Sequence, residues 1–207
     1  MYDYASQMEL AKQYWDDESD DGVAKDYVKA SELAQEMIAQ GYAEGYYIEA
    51  KIANNENNYE KAFENYNKAL DGTDEDILGQ AMNMIGYYYM QGFGVEQDYA
   101  KAIEWHEKGY ELGGSKAGDF AYSIATFYYS GKGVEQDYAK AAELFASVEA
   151  SENKSATGVV AAGYELGALY EQGLGVEQDL NKAMELYEEA ASYESQDAID
   201  ALARLSK

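Results

Sequence analysis

Several things are missing from this sequence, and each absence excludes a class of explanation. There is no cysteine among the 207 residues, so disulfides, thiolate metal sites and cysteine nucleophiles are ruled out. There is no proline either, hence no ring to remove a backbone N–H and break a helix from within. Basic residues are scarce, 15 against 40 acidic ones, for a net charge of −25. Such a surface repels nucleic-acid phosphates and anionic headgroups, which argues against nucleic-acid or membrane partners. It favours a basic protein partner at long range, screened beyond about 8 Å at physiological salt, although acidity alone also serves solubility. No apolar run approaches the roughly 18–20 residues of a membrane span. Met1–Lys12 lacks the basic-then-apolar order of a signal peptide. Compartment stays open on these grounds, with the cytoplasm slightly favoured. Histidine occurs once, as His106.

What is present is a repeat. Hydrophobic residues make up 47% of the chain and aromatics 14%, well above the disordered range. Gly-Val-Glu-Gln-Asp occurs at Gly94–Asp98, Gly133–Asp137 and Gly175–Asp179, each time preceded two residues earlier by Gly92, Gly131 or Gly173. Upstream of each loop stand an apolar residue, a small one and a tyrosine: Ile85-Gly86 to Tyr89, Ile124-Ala125 to Tyr128, and Leu166-Gly167 to Tyr170. Downstream come Lys101-Ala102 with Trp105, Lys140-Ala141 with Leu144-Phe145, and Lys182-Ala183 with Leu186-Tyr187. Two degenerate copies precede them, around Leu10-Ala11 to Leu33 and Ala50 to Ala69.

Each copy reads as a pair of helices, A and B. The small residue (Ala11, Ala50, Gly86, Ala125, Gly167) lets the pair approach closely. Gly-x-Gly ends helix A at positive φ, valine plugs the loop, and Asp26, Asn58, Asp98, Asp137 and Asp179 sit where N-caps of helix B belong. Thr73 or Asp74 starts the third helix A. Tyr14, Tyr89, Tyr128 and Tyr170 read as core. The expected fold is all-α, a right-handed α-α superhelix of about five helix-pair repeats (3–41, 42–72, 74–113, 117–151, 158–194) closed by a capping helix at 196–207. In that helix Ala198, Leu202 and Leu205 face inward, while Asp197, Asp200, Arg204 and Lys207 face water. Asp16–Asp21 reads as an acidic loop and Ser151–Thr157 as a polar turn between repeats.

The pattern carried by Ala162–Tyr187, and nearly as well by Ala81–Trp105 and Ala121–Phe145, resembles the Sel-1-like repeat family, relatives of the tetratricopeptide repeats. The second repeat, with its short Asn54–Asn58 connection, is closer to a plain tetratricopeptide unit. The resemblance implies a solenoid acting as an adaptor or scaffold for protein complexes, of a kind common in bacteria. Disulfide-rich members linked to β-lactam binding use spaced cysteines that this chain lacks.

In such solenoids the helix A residues not used in packing line a concave face. Counting from the small residue gives Tyr47, Asn83, Tyr122 and Tyr164 three before it, Tyr87 one after, and Trp15, Met90 and Tyr129 four after. This track would hold a protein or peptide partner through large, stiff aromatic surfaces. Trp105 reads as structural and His106 as a surface histidine. No catalytic set, metal site or cofactor motif is found: Asp16–Gly22 lacks calcium-loop spacing, and the glycine loops lack a phosphate-binding lysine and preceding strand. The leading expectation is a non-catalytic interaction scaffold, monomeric or weakly homodimeric. The alternatives are an acidic decoy of a basic or nucleic-acid-binding protein, and a small-molecule or glycan binder.

Overall fold

A computed structural model describes residues 4–15, 26–149 and 156–206. Among the described residues there are eleven α-helices and no strand. They are α1 (Tyr4–Trp15), α2 (Tyr27–Ala39), α3 (Glu44–Asn55), α4 (Tyr59–Ala69), α5 (Glu75–Gln91), α6 (Tyr99–Leu112), α7 (Ala117–Ser130), α8 (Tyr138–Glu149), α9 (Ala156–Gln172), α10 (Leu180–Ser192) and α11 (Gln196–Leu205). The Asp16–Asp21 loop and Lys207 lie outside the described residues, as do 151–155 of the expected Ser151–Thr157 turn; α9 already begins at Ala156.

Helix starts follow the capping logic closely. Asp26, Asn58, Asp98, Asp137 and Asp179 each accept a hydrogen bond from the backbone N–H three residues on, at 3.0–3.3 Å. Asp74, rather than Thr73, caps α5 through the N–H groups of Asp76 and Ile77. Each such cap contributes about 1 kcal/mol. The same aspartates act twice, because the N–H groups of Asp26, Asp98, Asp137 and Asp179 donate back to the carbonyls of Tyr14, Tyr89, Tyr128 and Tyr170. The glutamine of the loop motif has its own task. Gln97, Gln136 and Gln178 donate from Nε2, at 2.8 Å, to the carbonyls of Met90, Tyr129 and Glu171. Those carbonyls belong to the last turn of helix A, which lacks intrahelical donors.

The two glycines of the loop differ in role. Gly92, Gly131 and Gly173 take φ of 67–75° at the end of helix A. The second glycine also sits against backbone: a Cβ on Gly94 would lie 2.4 Å from the Tyr59 carbonyl carbon, and one on Gly175 2.2 Å from that of Tyr138. The loop of one repeat is thereby pressed onto the first turn of the preceding helix B. Any side chain would push them apart.

The described chain falls into two compact units, Met1–Trp105 and His106–Lys207. In the first, α1, α3 and α5 touch in succession as one layer, and α2 and α4 pack between and against them. Its core holds Met37, Ile48, Ile85, Tyr66 and Tyr88, all fully buried. The Tyr66 and Tyr88 rings meet edge to face at 5.8 Å, and the Tyr88 hydroxyl donates to Asn54 Oδ1 at 2.6 Å. Phe93 and Val95 from the loop pack against this core with Trp105.

In the second unit α7 touches α9, α8 packs on both, α10 covers α9, and α11 lies on α10. Gly167 is where α9 and α10 come together, since a Cβ there would stand 2.7 Å from the Tyr187 ring. Leu174 and Val176 close the loop over the core. Ala198 and Ala201 of α11 are buried with Tyr187 and Ala190, with Leu202 and Leu205 packed beside them.

The consensus tyrosines are a correction. Tyr14, Tyr89, Tyr128 and Tyr170 are half-buried rather than core. The buried positions are one residue earlier: Tyr88, Phe127 and Leu169. The consensus rings instead carry lysines on their faces, with Nζ of Lys29, Lys101 and Lys140 at 5.2, 5.3 and 4.3 Å from the centroids of Tyr14, Tyr89 and Tyr128. That cation–π contact, about 0.5–1 kcal/mol each at such a site, gives a role to the lysine in these three Lys-Ala pairs.

Candidate partner-binding face

The residues expected on the helix A track reach different places. Tyr47 leaves the set: it is only 4% exposed, its ring packs 5.9 Å from that of Tyr66, and its hydroxyl donates to Gln80 Oε1 at 2.5 Å. It is a core residue of the first unit. The Trp15 side chain lies outside the described residues. On α5, Asn83 and Met90 are half-buried and Tyr87 is exposed, its ring edge-on to Phe93 at 5.9 Å.

In the second unit the track opens into a cleft of about 490 Å³. It is lined by Tyr122 of α7, by Val160, Ala161, Tyr164 and Glu165 of α9, and by Tyr193, Ser195 and Asp197 at the entry to α11. Two of the expected tyrosines, Tyr122 and Tyr164, therefore share one concavity. Each is braced from behind, Tyr122 by the Phe145 ring and Tyr164 by the Tyr187 ring, both at 5.7 Å. Tyr129 stands further along α7, half-buried against Tyr138 at 5.6 Å.

The electrostatics of this cleft are one-sided. Glu165 is half-buried, and burial together with the Asp197 carboxylate pushes its carboxyl above the ordinary range. Burial first, and the Glu165 carboxylate second, raise the phenols of Tyr122 and Tyr129. For Tyr164 burial leads, followed by Asp197 and Glu165. The nearby cation is already engaged. Arg204 of α11, exposed as expected, clasps Glu171 with two guanidinium N–H groups, the second at 2.8 Å. The Tyr187 hydroxyl donates to the same Glu171 carboxylate at 2.8 Å. No hydrogen bond or ion pair engages Glu165 or Asp197 among the described residues. Ser195, meanwhile, caps α11 through the Ala198 N–H.

Glu165, Tyr193, Ser195 and Asp197 were not expected here. The available signal was that α11 occupies the place of a next helix A, so its first turn must face the same side as Tyr122 and Tyr164.

His106 is a second correction. It is 3% exposed rather than on the surface, edge-on to Phe120 and Phe127 at 5.9 and 6.0 Å. Neither ring nitrogen has a hydrogen-bond partner among the described residues, and burial pulls its pKa down to about 4. Its neighbours on one helical face are Ala102 and Gly109, both buried; that small-residue spacing was the missed signal. Among the described residues no three His, Asp or Glu side chains converge as a metal-binding group, and no helix is long and apolar enough to cross a membrane.

These features define an all-α, helix-pair repeat protein. The Sel1 repeat matches residues 5–42, 56–74, 79–114, 119–147 and 160–192, and the chain belongs to the Sel1 repeat family. Its fold is similar to that of a protective antigen present in uropathogenic Escherichia coli strains that displays an SLR fold, with 26% identity over 97% of this chain and a TM-score of 0.80. The chain spans 40% of that protein's length. A Sel1 repeat protein from Oxalobacter formigenes is similar at 23% identity, covering 96% of this chain and 76% of the other, with a TM-score of 0.70. A putative sel1 repeat protein from Klebsiella pneumoniae is similar at 21% identity, covering 98% and 99%, with a TM-score of 0.54. No curated protein matches the chain.

Proposed function

We propose that this protein is a non-catalytic interaction scaffold that holds a segment of a partner protein in the cleft of its second unit. Sel1 repeat proteins generally mediate protein–protein interactions. The observation that carries the reading is the pairing of Tyr122 and Tyr164 in one open concavity, each ring backed by another aromatic. Rings held stiff in this way lose little side-chain freedom when a partner covers them.

Selection from a random peptide pool tests this, comparing wild type with a Tyr122→Ala, Tyr164→Ala double variant shown by circular dichroism to remain helical. Wild type is expected to enrich peptides that the variant does not retain. Equal enrichment by both proteins would remove the cleft from the reading. The net charge of −25 supports the acidic-decoy alternative. Binding untouched by the two substitutions but lost at high salt would favour that alternative.

A further inference from the structure

We infer that the cleft is built to take the side chain of one arginine, projecting from an extended segment of the partner, between the Tyr122, Tyr164 and Tyr193 rings and onto the Glu165 carboxylate. This rests on the reading of the cleft as a partner site and names the chemistry that would fill it.

Three observations converge on it. First, the lining pairs aromatic walls with carboxylates: Tyr122, Tyr164 and Tyr193 stand around Glu165 and Asp197, with Val160 and Ala161 between. Tyrosine faces attract a guanidinium through their quadrupoles, and a carboxylate accepts its parallel N–H groups two at a time. Second, the charge is uncompensated. Glu165 is half-buried and Asp197 adjoins it, yet the cation beside Tyr164, Arg204, is held by Glu171. A half-buried carboxylate lacking a counterion is costly in the free protein, and an entering cation removes that cost. Third, the molecule displays the geometry beside the cleft. Arg204 lies on the Glu171 carboxylate, to which the Tyr187 hydroxyl also donates, and Glu171 and Arg204 both act electrostatically on Tyr164, whose ring packs on Tyr187. The proposed site repeats the guanidinium–carboxylate part of this arrangement, with Glu165 in place of Glu171 and the arginine arriving from outside. A lysine would keep the charge but lose both the planar stacking and the paired hydrogen bonds. The cleft volume of about 490 Å³ admits one such side chain with flanking backbone, within the roughly 300–1,000 Å³ of ordinary ligand pockets.

The experiment is an NMR titration of the whole chain with an acetylated, amidated Gly-Ser-Arg-Ser-Gly peptide. Lysine and citrulline versions serve as probes, citrulline having nearly the shape of arginine without its charge. The arginine peptide is expected to shift and saturate the amides of Tyr122, Glu165 and Ser195. The lysine peptide should bind several-fold more weakly, and citrulline at least about tenfold more weakly. Glu165→Gln should cost the arginine peptide about tenfold and leave citrulline unchanged. This variant removes a half-buried charge without a counterion, so its melting temperature should not fall below that of wild type. Equal binding of arginine and citrulline overturns the inference, as do arginine-induced shifts confined to amides outside the cleft. The two readings fail differently. A random-pool selection that depends on Tyr122 and Tyr164 but shows no enrichment of arginine leaves the scaffold reading standing and overturns this one.

Discussion

The same repeat position has opposite fates in the two units. Three residues before the small crossing residue, the first unit has Tyr47 and the second has Tyr122 and Tyr164. Tyr47 is buried, with its hydroxyl held by Gln80 of the next helix A. Tyr122 and Tyr164 line an open cleft. The difference follows from what the next helix A offers. Ala161 occupies the register position of Gln80, six residues before the small residue of its own helix. An alanine neither fills the space beside Tyr122 nor reaches its hydroxyl. Ser195, on α11, is similarly small and already engaged in capping. Whether a repeat tyrosine packs or lines an open cleft therefore follows from a residue on its neighbour.

This contrast can be broken in several ways. The largest effect is expected from filling the loop joints. Gly94→Ala and Gly175→Ala each force a Cβ into backbone at positive φ, and each should destabilise its own unit by about 3 kcal/mol or more. Hydrogen exchange resolved by residue would show the loss in the first unit for one variant and in the second for the other.

Acid should separate the units next. The chain's single histidine lies in the second unit, and burial pulls its folded pKa from the ordinary 6.5 down to about 4. The stability held by neutral His106 is complete above about pH 6.5 and is lost as pH falls toward 4. At 1.36 kcal/mol per pK unit this approaches roughly 3 kcal/mol. His106→Leu should remove that component, so the second unit of the variant should hold its exchange protection between pH 6.5 and 4 better than wild type. Identical pH profiles would show that His106 is not the titrating group.

Gln80→Ala should remove the acceptor of the Tyr47 hydroxyl's hydrogen bond and cost the first unit about 1–2 kcal/mol by chemical denaturation. The converse substitution, Ala161→Gln, should change stability by less than about 1 kcal/mol, because the new amide gains Tyr122 as a partner. It should also block the cleft, lowering peptide binding by at least about tenfold. A variant that bound as well as wild type would detach the opening from Ala161.

Much of the fold was legible because repetition makes local chemistry visible. Five aspartates or asparagines at one loop position announce five caps, and each forms. The paired glycines mark the helix ends for the same reason. The site was legible only in part. Tyr122 and Tyr164 followed from register, but Tyr47 shared that register and was buried by Gln80, a residue thirty-three positions away. Glu165 and Asp197 were hidden among 40 acidic residues, where composition hides individual carboxylates. His106 escaped because adjacent helical residues point about 100° apart, so the role of Trp105 said nothing about its neighbour.

The joint made by Gly94 on Tyr59, and again by Gly175 on Tyr138, has a consequence for how such a chain changes length. One half of the joint is a loop glycine and the other is the first turn of a helix B, and the third, fourth and fifth repeats carry both halves in their sequence. An in-frame duplication or loss of one whole repeat leaves matching surfaces at the new boundary. A break anywhere else within the repeat separates them. Recombination is thereby channelled into whole-module steps, and the length of the array can drift while its seams stay intact.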